Sequence, residues 1–288
     1  MKEGGFIIYK FYKRLNNNTV SAVDENGSEV ILKGKGIAFL DDNGNIDDSK
    51  IEKIFEFKNK KDFHYFYSLI DKIPYEYMET AELIISFSQK MLNRPLNEHI
   101  YITMTDHLNY ALQRMKENIF ITNPLVWEIK RFYPTEYQIG LASLDIIEEK
   151  LGVRFDNSEA ASIALHIIDA ELNVDINQSM KMTQLMQDIL DIIKNNFDFT
   201  FDENSIVYNR LTTHLKYFVE RAMKSDYVGE SDIEIFEFIR NKYPEVYHCT
   251  LKIAHYVEDE LRYKVSDSEK MYLTVHIETL LKEVRKKG

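Results

Sequence analysis

Four histidines stand at matching places in two copies of one pattern. Imidazole is the side chain best suited to take up or release a charged group near neutral pH. The first copy reads Tyr101-Ile102-Thr103-Met104-Thr105-Asp106-His107-Leu108 and, further on, Ala164-Leu165-His166-Ile167. The second reads Arg210-Leu211-Thr212-Thr213-His214-Leu215-Lys216 and then Thr274-Val275-His276-Ile277. Equivalent histidines are offset by 107 and 110 residues. At the 110 offset Tyr133-Pro134 falls on Tyr243-Pro244, Tyr137 on Tyr247, Leu151 on Leu261 and Ser158-Glu159 on Ser268-Glu269, with no gap. A period of that length is a duplicated small domain, too long for a solenoid unit.

Two chemistries come first to mind for repeated imidazoles, and the spacing speaks against both. Metal binding wants a close pair such as H-x-x-x-H or a cysteine or carboxylate cluster, and neither stands beside these histidines. No metal or cofactor is therefore expected. Hydrolysis is unsupported: Asp106 precedes His107, the second copy has Thr213 there, and no nucleophile elbow or Gly-rich phosphate loop occurs. The chain reads as a non-enzyme. A lone histidine would pass as a packing residue. Four at matching positions, two followed seven residues later by Arg114 and Arg221, make that the weaker reading. His64, His99, His248 and His255 have no repeat partner and read as ordinary surface or packing residues.

Helical periodicity places the four. Tyr101, Met104, Leu108, Leu112 and Met115 form an apolar stripe with His107 and Arg114 along its border. Leu211, Leu215, Phe218 and Ala222 stand in the same relation to His214 and Arg221. His166 faces a narrow polar strip of Glu159, Ser162 and Asn173 on a helix apolar nearly all round; His276 faces Glu269, Thr279 and Glu283. All four are expected at edges that a partner can reach.

The elements that must hold these residues are helices from about Asp62 onward. Pro74 and Pro95 bracket one, Asn97 to Lys116 makes the next, Pro124 starts a third with Pro134 as its interruption, and Ser158 caps a fourth to Asn173. Asp175 to Met180 reads as a linker before a second copy that ends in a helix from Ser266 to Lys286. Residues 6–57 read instead as short strands: Phe6 to Arg14, Thr19 to Val23, Glu29 to Lys33, Ile37 to Leu40 and Lys53 to Phe57, with Asp24-Glu25-Asn26-Gly27 as a turn and Asp41 to Asp48 as a loop. A sheet that small usually dimerises or packs on a neighbour. Met1 to Gly5 reads as a loose extension. The expected fold is α+β and multidomain: a small antiparallel β domain in residues 1–60, then two all-α bundles of five helices in 61–174 and 175–288.

Composition narrows the partners. The 288 residues are 44% apolar with a net charge of −11, which speaks against a general polyanion binder. Residues 1–60 are neutral, with ten basic and ten acidic side chains, so any nucleic-acid contact belongs there. One cysteine, Cys249, fits a reducing compartment, and no apolar run approaches the ~20 residues a membrane span needs. A soluble, cytoplasmic protein is expected.

The segments Lys13-Arg14-Leu15-Asn16-Asn17-Asn18, Gly34-Lys35-Gly36-Ile37-Ala38-Phe39 and Lys50-Ile51-Glu52-Lys53-Ile54-Phe55, followed in order by the four histidine segments, resemble bacterial transcriptional antiterminators of the β-glucoside/sucrose type. The likeness runs from about Lys10 to Val284. It implies a co-antiterminator RNA-binding domain followed by two regulation domains of the sugar phosphotransferase system. Such a protein binds, as a homodimer, an RNA hairpin in nascent messenger RNA and keeps an overlapping terminator from forming. The resemblance makes His107, His166, His214 and His276 phosphorylation sites. The first two take an inhibitory signal from the sugar permease (enzyme II), the last two an activating one from the phosphocarrier HPr. RNA contact would fall to Lys13, Arg14, Asn17, Asn18, Gly34, Lys35, Gly36 and Phe39. Amide side chains suit base edges, and Lys13, Arg14, Lys33 and Lys35 suit phosphates. Phe39 reads either as a ring stacking on a splayed base or as sheet core. Gly34 and Gly36 either admit RNA close to the backbone or simply turn the chain. Lys35 departs from the arginine frequent in relatives and loses the two-donor fork. The alternative is a DNA-binding activator with the same duplicated domains, which needs an N-terminal helix-turn-helix where this chain reads as strands.

Overall fold

The computed structural model describes residues 9–41, 44–56, 60–226 and 233–287. Four strands, β1 (Lys10–Asn16), β2 (Thr19–Val23), β3 (Glu29–Lys33) and β4 (Lys53–Phe55), pair antiparallel in the order β1-β2-β3-β4. Alternation divides their side chains between two faces. Val20, Ala22, Val30 and Leu32 point to one core with Ile37, Ala38 and Ile46. Ile31 and Phe55, cross-strand neighbours in β3 and β4, point to the other. Phe55 sets its ring 5.1 Å from Phe66 of the first helix and 5.2 Å from Tyr101 of the third. The sheet thus buries its second face on helices of its own chain, and fully burying side chains such as Ile31 and Phe55 contributes roughly 1.5–3 kcal/mol each.

One strand expectation needs correction. Ile37 to Leu40 is not a strand: the Ile37 and Phe39 amides donate to Gly34 and Gly36 carbonyls in successive turns, and Gly36 has φ +67°. Such a φ costs glycine little and breaks the extended run. The first strand starts at Lys10, and its expected start at Phe6, the extension Met1 to Gly5 and Phe57 lie outside the described residues. The turn at Asp24 is as expected, its carboxylate accepting from the Asn26 and Ser28 amides at 2.9 and 2.7 Å.

Eleven helices follow among the described residues: α1 (Lys60–Lys72), α2 (Tyr75–Leu92), α3 (Ile100–Lys116), α4 (Val126–Phe132), α5 (Pro134–Leu151), α6 (Asn157–Leu172), α7 (Ile176–Phe197), α8 (Ile206–Lys224), α9 (Ile233–Lys242), α10 (Pro244–Leu261) and α11 (Asp267–Lys287). Each copy of the repeat supplies five in the same order, α2 to α6 and α7 to α11. Pro134 and Pro244 open α5 and α10, the position where a missing N–H costs nothing. The cap of α6 is Asp156, whose side chain accepts from the Ser158 amide at 2.7 Å, and not Ser158 itself. Asp175 to Met180 is not a linker. Asp175 and Gln178 exchange backbone and side-chain hydrogen bonds at 3.0 and 3.1 Å, a capping box that starts α7.

The chain divides into two compact units, residues 1–124 with 135–174, and residues 125–134 with 175–288. The short α4 therefore groups with the second unit, where Arg131 donates to Gln187 at 3.0 Å. In the first unit Gly140 lets α5 approach α6 closely: a Cβ there would lie 2.2 Å from the Ala160 carbonyl oxygen. Among the described residues no helix is long and apolar enough to cross a membrane.

Candidate functional site

In each repeat the two histidines come from helices distant in sequence and meet ring to ring. α3 carries His107 and α6 carries His166, with centroids 4.6 Å apart at 53°. α8 carries His214 and α11 carries His276, with centroids 3.7 Å apart at 31°. The apolar stripes set this geometry, because they bury Met104, Leu108 and Leu112 on one side and Leu211, Leu215 and Phe218 on the other.

The expectation that all four lie within a partner's reach fails for the first pair. His166 is 8% exposed and its Nδ1 is buried without a hydrogen-bond partner. His107 is nearly as enclosed, with a side chain 13% exposed. The physical reason is the one that makes α6 apolar nearly all round: a helix without a broad polar face sits inside its bundle. His214 is exposed and His276 half-buried.

Burial, and then the charge of His107, hold the His166 imidazole well below its ordinary range. His276 is pushed down to about 4 by burial, the neighbouring His214 and Arg210. Both rings are thus uncharged at neutral pH, the form in which an imidazole nitrogen is a nucleophile. A neutral ring able to accept a group is what this arrangement offers.

Two carboxylates stand at the site; the sequence placed Glu159 on the strip facing His166 and Glu269 on the strip facing His276, and gave neither a role. Glu159 Oε1 lies 2.6 Å from His107 Nε2, and its Oε2 lies 3.6 Å from Arg114. Both atoms are buried, and neither makes a hydrogen bond as the two side chains stand. In the second repeat Arg221 Nε donates to Glu269 at 3.4 Å. The signal was available, since Ser158-Glu159 and Ser268-Glu269 share the repeat register.

Strand β1, the turn after it and the loop after β3 carry the eight residues expected at RNA. Phe39 is 59% exposed, so it is not sheet core, and Arg14 stacks over it at 5.4 Å. Arg14 also donates to Asn17 Oδ1. Asn18 is structural as well as polar: its Oδ1 accepts from the Gly36 amide at 2.8 Å and its carbonyl from Gly34 at 2.9 Å. A Cβ on Gly34 would overlap the Lys50 carbonyl oxygen at 1.6 Å, so the fold itself demands glycine there. Lys13 and Lys35 are exposed, Lys13 lying over the Tyr67 ring at 5.1 Å. Lys33 is a correction: at 7% exposure it is ion-paired to Glu82 and not free for a phosphate. Burial works against its charge, but Glu82 outweighs that and holds the ammonium above its ordinary range.

Comparison with known proteins covers the same segments. The family model described as "PRD domain" matches residues 82–170 and again 187–280, and the one described as "CAT RNA binding domain" matches residues 9–63. The chain is 40% identical to the transcription antiterminator LicT of Bacillus subtilis (strain 168), over 95% of this chain and 99% of that one. It is 35% identical to the beta-glucoside operon antiterminator of Dickeya chrysanthemi, over 96% and 98%. The crystal structure of GlcT CAT-PRDI is similar at TM-score 0.50 and 35% identity, covering 56% of this chain and 97% of that one.

Proposed function

This chain belongs to the family of transcription antiterminators that join a CAT RNA binding domain to two PRD domains, and from that premise we propose how it works. Residues 1–60 bind an RNA hairpin in nascent messenger RNA as a homodimer, and the bound hairpin keeps an overlapping terminator from forming. Residues 61–174 and 175–288 are regulation domains that take phosphoryl groups on His107, His166, His214 and His276. The sugar permease supplies the inhibitory signal to the first pair and the phosphocarrier HPr the activating one to the second. The protein works in the cytoplasm and catalyses nothing itself, because the reactive bond is the donor's.

The observation that carries this reading is the ring-to-ring meeting of two imidazoles at the same place in both repeats. A phosphoryl group there adds close to two negative charges, enough to move a two-state element. Lys13, Arg14, Lys35 and Phe39 are all exposed, Arg14 stacked over Phe39, and basic and aromatic side chains of this kind suit a hairpin loop, with Asn17, Asn18, Gly34 and Gly36 in the turns. The N-terminal strands are at odds with a DNA-binding helix-turn-helix activator.

The test is binding of the full chain to a panel of RNA hairpins and matched DNA duplexes at fixed salt. Phe39→Ala should weaken hairpin binding by about 1–3 kcal/mol, the worth of one stacked base, while leaving the melting temperature unchanged because the ring is exposed. Equal binding by wild type and variant, or preference for duplex DNA, would contradict it.

A further inference from the structure

Glu159 and Glu269 occupy equivalent places in α6 and α11 yet hold different partners. Glu269 Oε2 accepts from the Tyr263 hydroxyl at 3.0 Å and from Ser266, backbone and hydroxyl, at 3.3 Å. Ser266 Oγ in turn accepts from the Glu269 amide at 3.2 Å, so Glu269 is the glutamate of a capping box. No ion pair joins it to His214 among the described residues. At the 110 offset Tyr263 and Ser266 become Val153 and Asp156. Valine has no donor, and the Asp156 carboxylate that caps α6 repels a second one. Glu159, lacking local donors, turns to His107 Nε2 at 2.6 Å.

That contact decides which nitrogen has a lone pair. Two bare acceptor atoms do not rest together in a buried site, and leaving either without a partner costs about 1–3 kcal/mol. The ring therefore keeps a proton on Nε2, facing the carboxylate. We propose that Glu159 is a positioning residue that keeps Nε2 of His107 protonated and so closes that nitrogen to phosphoryl transfer. Nε2 of His107 becomes an acceptor only when Glu159 turns away, whereas Glu269, held by Tyr263 and Ser266, makes no such contact with His214 among the described residues. This rests on the reading of the imidazoles as phosphoryl acceptors. In the transfer itself the lone pair of a neutral ring nitrogen forms the new N–P bond as the donor phosphohistidine's N–P bond breaks. The electron pair of the broken bond returns to the donor ring, which takes up a proton, and the acceptor ring sheds the proton on its other nitrogen. With Nε2 of His107 already an N–H, that step has no electron pair to start from there.

Potassium phosphoramidate, which phosphorylates accessible imidazoles without a protein donor, tests the proposal on the full chain, with phosphohistidines mapped by mass spectrometry. Wild type should label His214 about tenfold or more faster than Nε2 of His107. Glu159→Ala should raise labelling at Nε2 of His107, told from the Nδ1 isomer by phosphorus NMR, about tenfold and leave His214 unchanged. Val153→Tyr with Asp156→Ser, which rebuilds the second repeat's donors in the first, should raise it with Glu159 intact. A merely structural role for Glu159 would not give that gain. Unchanged labelling at Nε2 of His107 in both variants would overturn the proposal. Should Glu159→Ala fail to fold, nitrogen NMR of histidine-labelled wild type decides alone: a protonated His107 Nε2 supports the proposal and a bare one overturns it. Phosphorylated HPr in a parallel reaction separates the two levels. If it labels none of the four histidines, the acceptor reading falls, while the NMR result still stands for or against Glu159.

Discussion

Lys33 and Lys35 carry the same charge two residues apart, and burial separates their roles. Lys33 lies on the face of β3 that packs against the helices, paired to Glu82 and with its ammonium 5.7 Å above the Tyr75 ring. Lys35 lies beyond the strand end in solvent, with only its amide tied, to Glu52 at 3.2 Å. Lys33→Ala should lower stability by about 1–3 kcal/mol, because it strips a partly buried carboxylate of its nearest cation. Lys35→Ala should leave stability within about 0.5 kcal/mol and reduce the salt dependence of hairpin binding by roughly one phosphate contact. Thermal melts and a salt titration of binding separate the two outcomes. Composition gave no means of ranking these lysines. Strand alternation did, since Ile31 and Lys33 share a face, but only once that face was known to be covered.

The paired repeats allow whole elements to be compared. α5 and α6 bring Glu136 and Glu171 together in the first unit, and the equivalent residues of α10 and α11 are Val246 and Leu281, both buried. Burial first, and then the Glu136 carboxyl, push Glu171 up from an ordinary 4.5 to about 7, against the pull of Arg94. Between those values the folded chain holds a proton that the unfolded chain has released. Glu171 therefore contributes stability fully present below its unfolded value and lost as pH rises through about 7. Glu171→Gln, which keeps the neutral shape, should stabilise the protein relative to wild type more at about pH 8 than at about pH 6. An equal difference in melting temperature at both values would contradict it. Helix order, the proline starts and the repeat register were legible because they depend on residue type at fixed spacing. Asp175-x-x-Gln178 was legible too, as a capping box, yet a polar stretch between copies reads more readily as a linker. The turn at Ile37 to Leu40 was harder to see. Its cause is Gly36 at φ +67°, and apolar residues after it mimic a strand.

At the scale of the molecule, a net charge of −11 rests almost wholly on the helical units while the first sixty residues are neutral. In the proposed reading, phosphoryl groups add charge to the acidic part while RNA is a polyanion, so the proposed effect on binding travels through conformation and not through direct attraction. The four histidines were legible as a repeated set. That His166 is enclosed, and that Glu159 and Glu269 choose different partners, was not, because those facts depend on which residues cap the next helix and what lies beside it. The most direct test is the affinity of the full chain for its RNA hairpin, measured at one salt concentration before and after phosphorylation by HPr. Phosphorylation of the second repeat should tighten binding by roughly 5- to 150-fold, the range of ordinary coupling energies, and the gain should vanish when His214 and His276 are both changed to Ala. Equal affinity in the two states, with both histidines shown to be phosphorylated, would contradict the account.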